Sequence, residues 1–120
     1  MLNRKSVEAQ VADIIWDRAP IASGEISKIC EQRFSWKKTT FFTVLKRLCD
    51  KGLFKNENGV VTVVVGREQF YAKQSEIFLE ENFEGSLPSF LAAFTSRKKL
   101  SKKDVDELRH IIAEYEENNA

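Results

Sequence analysis

Val7, Val11, Ile14 and Ile15 recur at three- and four-residue spacing behind Ser6, and Trp16 follows them. That period places apolar side chains on one face of an α-helix, so the pattern predicts a first helix with Ser6 as its cap. Asp17-Arg18-Ala19-Pro20 ends it, because proline disfavours helical backbone in the residue before it. Ile21-Ala22 reads as a short extended piece. Ser23 is placed to cap a second helix carrying Ile26, Ile29 and Cys30 on one face, with Phe34 just beyond, and Ser35-Trp36 interrupts the period. A third helix is expected from about Lys37 to Lys51. Its core stripe is Phe41, Val44, Leu45 and Leu48, at positions i, i+3, i+4 and i+7. Gly52 sits where a glycine commonly closes a helix.

The period then changes from helix to strand. Leu53 to Glu57 predicts a short strand, and the β-branched run Val60 to Val65 predicts another, ended by Gly66. Between them stands Asn58-Gly59, the dipeptide best suited to a two-residue hairpin because both positions accept positive φ. Helical spacing returns from about Arg67 to Asn82, with Phe70, Tyr71, Phe78, Leu79 and Phe83 among its apolar residues. Gly85-Ser86 interrupts, and a short helix from Pro88 to Phe94 carries Phe90, Leu91 and Phe94. Arg97-Lys98-Lys99 leads to a last helix, where Ser101 and Asp104 form a capping-box variant and Val105, Leu108, Ile111, Ile112 and Tyr115 make the stripe. Glu114 to Asn119 is expected to fray into solvent.

Three helices and a hairpin within residues 1–66 describe a winged helix-turn-helix. Residues 67–120 form a helical appendage, so the fold class is mainly α with a small β-hairpin wing. Winged folds of this kind set their third helix in the major groove of DNA. Here the outer face of that helix holds Lys38, Thr39, Thr40, Phe42, Thr43, Lys46 and Arg47, with Lys37 at its start. Lysine and arginine neutralise phosphates, while threonine can bond a phosphate or touch a thymine methyl. Lys55, Asn56 and Asn58 lie near the hairpin tip, where they can meet the adjacent DNA backbone.

Charge sharpens this division. Residues 1–66 carry 11 Lys/Arg against 7 Asp/Glu and residues 67–120 carry 8 against 11, so the overall +1 hides a basic front and an acidic rear. Within 33–55 there are seven cations, Arg33, Lys37, Lys38, Lys46, Arg47, Lys51 and Lys55, against Asp50 alone. Such a patch suits a polyanion, although a solvated lysine face has the same composition. The rear segment is rich in phenylalanine and too thin to bury its own apolar faces. Two arrangements satisfy it: a second copy of the chain, or folding back of the rear helices on the front half. The first yields a two-fold dimer that reads a palindromic site.

Composition removes other classes. At 120 residues, 42% hydrophobic and 31% charged, the chain is an ordinary globular protein. No apolar run reaches the roughly 18 residues of a membrane span. Met1-Leu2-Asn3-Arg4-Lys5 leads into charge and predicts no secretion signal. Two cysteines without such a signal fit the reducing cytoplasm, with Cys30 and Cys49 as unpaired structural thiols. Trp16 and Trp36 are expected core anchors, Trp36 having the alternative of approaching DNA. His110 has no second histidine or nearby cysteine, so no metal site, cofactor or catalytic residue is expected, and Glu80, Glu81 and Glu84 read as a solvated acidic face.

The residues resemble those of the BlaI/MecI/CopY family of bacterial winged-helix repressors along essentially the whole chain. The opening Glu8 to Trp16, the run Thr39-Thr40-Phe41-Phe42-Thr43-Val44-Leu45-Lys46-Arg47-Leu48, and Lys51-Gly52-Leu53 resemble the family's first helix and recognition helix. Phe70-Tyr71-Ala72, Phe78-Leu79, Gly85-Ser86-Leu87, Ala93-Phe94 and Leu100-Ser101 through Leu108 are similar to its dimerisation arm. The resemblance implies a cytoplasmic homodimer on a double-stranded DNA operator, repressing genes of β-lactam resistance or copper handling. It assigns DNA contact to Lys38, Thr39, Thr40, Phe42, Thr43, Lys46 and Arg47. Dimer contact is expected of Tyr71, Phe78, Leu79, Phe83, Leu87, Phe90, Leu91, Phe94, Leu108, Ile111, Ile112 and Tyr115. Phe42 departs from the family pattern, where a polar or basic residue often sits, and its ring belongs either to the groove face or to the core. Copper-responsive members carry a C-terminal cysteine cluster, and residues 67–120 contain no cysteine. β-Lactam-responsive members are cut in the arm by a membrane sensor protease, and the corresponding bond is Ala93–Phe94, with alanine in place of the usual asparagine. A winged-helix module that binds another protein through its basic face is the competing functional class.

Overall fold

The computed structural model describes residues 6–119; the N-terminal stretch Met1 to Lys5 read above lies outside them. The elements are α1 (Val7–Arg18), β1 (Ile21–Ala22), α2 (Ser23–Phe34), α3 (Lys38–Asp50), β2 (Phe54–Glu57), β3 (Val60–Val63), α4 (Arg67–Phe83), α5 (Leu87–Thr95) and α6 (Lys102–Asn118). They fall into two compact units that divide between Ser75 and Glu76.

In the first unit three helices pack around a core of Val11, Ile15, Ile26, Leu45, Leu48 and Phe41, all essentially inaccessible to solvent. Each comes from an apolar stripe at helical spacing, so burial follows directly from the sequence period. Truncation of Phe41 to alanine would remove the largest of these side chains, at a cost of about 3–5 kcal/mol. The Ser6 hydroxyl accepts from the Ala9 amide at 3.1 Å and caps α1. At the other end Ala19, before Pro20, is extended (ψ 146°). Ser35 closes α2 in the left-handed region (φ 57°), and Gly52 takes φ 81° just past α3.

The sheet holds one strand more than a hairpin. Ile21–Ala22 pairs antiparallel with β3, so the order is β1-β3-β2. The hairpin register runs from Glu57 opposite Val60 to Phe54 opposite Val63. Asn58 (φ 54°) and Gly59 (φ 77°) make the turn between them. Val64 and Val65 both donate to the Leu53 carbonyl, at 2.9 and 3.1 Å, so the ladder ends at Val63 and not at Val65.

Two further expectations change. Ser23 is not the cap of α2. Ala22 holds that position without a side-chain bond, and the Ser23 amide donates instead to the Gly59 carbonyl at 2.8 Å, because pairing of β1 with β3 brings the hairpin turn against it. The end of α6 does not fray at Glu114. It continues to Asn118, with His110 and Glu114 paired at 3.1 Å and Asn119 bonding the Tyr115 carbonyl through both its amides. The first compact unit extends to Ser75. The first turns of α4 stay with the first unit because Phe70 packs on its core and Trp16 lies 5.8 Å from the Phe70 ring and 6.1 Å from that of Tyr71. Trp16 is half-buried, and its indole Nε1 donates to the Val65 carbonyl at 2.9 Å.

In the second unit no residue of α5 or α6 is buried, and α4 has none along its whole length. Ser86 caps α5 through the Ser89 amide (3.1 Å), and Ser101 caps α6 through that of Asp104 (3.0 Å).

Candidate nucleic-acid interface

The buried stripe of α3 fixes what its other face must show. With Phe41, Val44, Leu45 and Leu48 turned into the core, Lys38, Thr39, Thr40, Phe42, Thr43, Lys46 and Arg47 are all exposed. Lys37 precedes them in the N-cap position, with extended backbone and no side-chain cap. The first turn of α3 has no acid, so Lys37 and Lys38 stand at the positive end of the helix dipole without compensation. An incoming phosphate relieves that repulsion. Among the described residues, none of Lys37, Lys38, Lys46 or Arg47 is held in an ion pair.

The sequence count of seven cations overstates the free charge. Lys51 Nζ sits 2.9 Å from Glu8 Oε1, and Lys55 Nζ sits 2.7 Å from Glu57 Oε1. The bond to Glu57 and its charge hold the Lys55 ammonium above the usual lysine range. Alternation along a strand puts residues 55 and 57 on the same face, so Glu57, two positions beyond the basic stretch 33–55, is the signal in the sequence for this pairing. Asn56 and Asn58, the other hairpin residues, are exposed.

Thr43 is exposed, but its hydroxyl donates to the Thr39 carbonyl at 2.9 Å. Its proton is spent inside the helix, leaving a methyl group and oxygen lone pairs for any ligand. Phe42 resolves between the two placements that the sequence allowed: it is 41% exposed, on the outer face. Its ring makes an edge-type contact with the buried Phe41 ring, with centroids 5.0 Å apart. With Leu45, Lys46, Cys49 and Asn56 it lines a shallow depression joining α3 to β2. Cys49 is half-buried there, and burial first, then the charge of Asp50, pushes its thiol pKa up. Cys30 is fully buried in the core, which likewise raises its pKa. Trp36 is half-buried against the core, its ring 5.2 Å from that of Phe34.

The arm residues separate into three groups. Tyr71 lies in the first unit beside Trp16. Phe78, Phe83, Phe90 and Phe94 touch one another in the second unit, at ring separations of 5.6–6.2 Å, while Leu79, Leu91 and Leu108 are half-buried. Leu87, Ile111, Ile112 and Tyr115 are each more than half exposed, and Phe94 is 44% exposed. The Ala93–Phe94 bond lies in the last turn of α5, where the Ser96 hydroxyl donates to the Ala93 carbonyl at 2.7 Å. No described helix is long and apolar enough to cross a membrane.

A family model described as penicillinase repressor matches residues 6–114 of the chain. The penicillinase repressor of Bacillus licheniformis is 27% identical over 112 residues, covering 90% of this chain and 88% of its own length. The methicillin resistance regulatory protein MecI of Mammaliicoccus sciuri is 26% identical over 111 residues, covering 89% and 90%. The penicillinase repressor of Staphylococcus aureus is 25% identical over 109 residues, covering 88% and 86%.

Proposed function

The chain belongs to the penicillinase repressor family of transcriptional repressors, which are not enzymes, and from that premise we propose that it is a cytoplasmic homodimer that sets two copies of α3 in a palindromic DNA operator. The observation that carries the DNA reading is the exposed face of α3, where four cations without an ion pair among the described residues surround a polar and apolar centre. Cations that gain no protein partner are free to displace counterions from phosphates, the source of salt-dependent affinity. Lys37, Lys38, Lys46 and Arg47 contact the DNA backbone, while Thr39, Thr40, Phe42 and Thr43 approach base edges. Lys55, Asn56 and Asn58 follow the neighbouring backbone, with Lys55 contributing least because Glu57 already holds it.

Homodimerisation is supported by an arm in which no residue of α5 or α6 is fully buried within one copy of the chain. Leu87, Phe94, Ile111, Ile112 and Tyr115 supply the contact with the second copy. Linking two winged domains makes the second binding event intramolecular and multiplies affinity by ~10²–10⁴. Loss of the link is therefore a switch. A membrane sensor protease cutting Ala93–Phe94 would detach α6 and lose that factor without touching α3, after unwinding the last turn of α5. The controlled genes belong to the class in its relatives' names, resistance to penicillin or methicillin.

Fluorescence anisotropy with DNA from upstream of the chain's own gene tests the reading. Specific operators exceed non-specific duplex by roughly 10³ or more. A preference within about tenfold of a scrambled duplex rejects the operator reading, and sedimentation as a monomer at micromolar concentration rejects the dimer.

A further inference from the structure

We infer that Phe42 is a specificity-determining residue that reads the C5-methyl group of a thymine in the major groove, an inference that rests on α3 being the DNA-facing helix. Single exposed apolar side chains are common, so exposure alone says nothing. Three relationships say more. Among the described residues of the first unit, Phe42 is the one aromatic side chain that is exposed. It lies in the middle of the outer stripe Thr39, Phe42, Thr43 and Lys46, at positions i, i+3, i+4 and i+7, with Lys38 and Arg47 to either side. The centre of such a stripe lies nearest the base edges, while the flanking cations meet the two phosphate backbones.

The third relationship concerns its neighbour. Guanine and adenine present acceptors in the major groove, which a side chain reads by donating a proton. Thr43 has committed its only side-chain proton to the Thr39 carbonyl at 2.9 Å. The middle of the stripe therefore offers a phenyl ring and a threonine methyl, with no donor between them. The apolar feature of a base pair in this groove is the thymine methyl. The ring is braced on one side by an edge-type contact with the fully buried Phe41, the two ring centres 5.0 Å apart, and it borders the depression lined also by Leu45, Lys46, Cys49 and Asn56. A braced ring loses little freedom when a methyl group settles on it.

The test begins with a duplex that the full-length protein selects from a random-sequence pool, resynthesised with deoxyuridine replacing each thymidine in turn. This removes one methyl group and leaves every hydrogen-bonding edge in place. Burial of one such group corresponds to about a fourfold change in affinity, and that loss is expected at one thymidine of each half-site. Phe42→Ala should bind the thymidine and deoxyuridine forms of that site equally, and Phe42→Leu should keep the difference. Tolerance of deoxyuridine at every position by the unmodified protein overturns the inference, whatever the variants do. So does a Phe42→Ala protein that keeps the thymidine preference while binding all duplexes more weakly. A pool that yields no enriched sequence instead overturns the operator reading itself.

Discussion

Arg67, the first residue of α4, reaches back to Asp13 of α1, its Nε donating to the carboxylate at 2.9 Å. The same guanidinium donates to the Asp13 carbonyl at 3.1 Å and to the Asp17 carboxylate at 2.7 Å, and lies 5.6 Å from the centre of the Trp16 ring. These bonds raise its pKa further, the bond to Asp17 being the largest cause. One side chain thus ties the start of α4 to the turns of α1 that carry half-buried Asp13 and exposed Asp17. A third of the side chain is open to solvent, so screening limits what the charges contribute. Arg67→Ala should lower stability by about 1–2 kcal/mol, with Arg67→Lys intermediate because an ammonium cannot span three acceptors in one plane. Urea unfolding of the two variants checks this; equal midpoints for wild type and Arg67→Ala would show that the bonds contribute nothing.

The cations of the interface should differ in their salt dependence. Lys46 has no ion-pair partner among the described residues, and its removal should weaken all duplexes alike and lower the slope of log affinity against log salt by about 1. Lys55 must first leave Glu57, so Lys55→Ala should change that slope less. Titrations between low and moderate salt separate the two. Equal slopes for both variants would mean that the hairpin lysine meets DNA as directly as α3 does.

Thr43→Val should leave affinity within about twofold, since the lost proton serves the Thr39 carbonyl and not the ligand. Thr43→Ala removes a methyl group as well and should shift preference among sites. A large uniform loss with valine would place the hydroxyl on DNA.

Ile112 and Tyr115 stand on the exposed face of α6, 55% and 67% accessible. Ile112→Asp or Tyr115→Asp should raise the dimer dissociation constant by on the order of 30-fold, the effect of removing a central interface residue. The winged unit should keep its unfolding midpoint. Analytical ultracentrifugation across a concentration series measures this, and an unchanged constant for both would remove this face from the interface.

The thiols give a pH dependence. Burial raises the Cys30 pKa above its ordinary 9.0, so the folded state holds a proton that the unfolded chain releases. Stability from this group is therefore complete below about pH 9 and declines as pH rises through the folded value. A maleimide reagent at neutral pH should modify half-buried Cys49 before fully buried Cys30. Equal rates would indicate frequent opening of the core.

Most of the winged unit was legible because its information is periodic and local. Stripes at helical spacing, Pro20, Gly52 and the Asn58-Gly59 turn each act over a few residues, and the helices and hairpin formed where these signals lie. The face of α3 that carries Lys38, Thr39, Thr40, Thr43, Lys46 and Arg47 followed by subtraction from its core stripe.

What the amino-acid order determined alone was therefore the set of elements and the side chains each must hide. Tertiary structure decided which exposed groups are free. Glu8 and Lys51 are 43 positions apart, and Arg67 is 50 or more from Asp17 and Asp13, so no local pattern announces their pairing. The join of Ile21–Ala22 to β3, which takes the Ser23 amide from its expected role, arises the same way. Phe42 is the sharpest case. A ring between a filled core and an open face satisfies the helical period on either side, and only the packing of Phe41 beneath it left that ring outside.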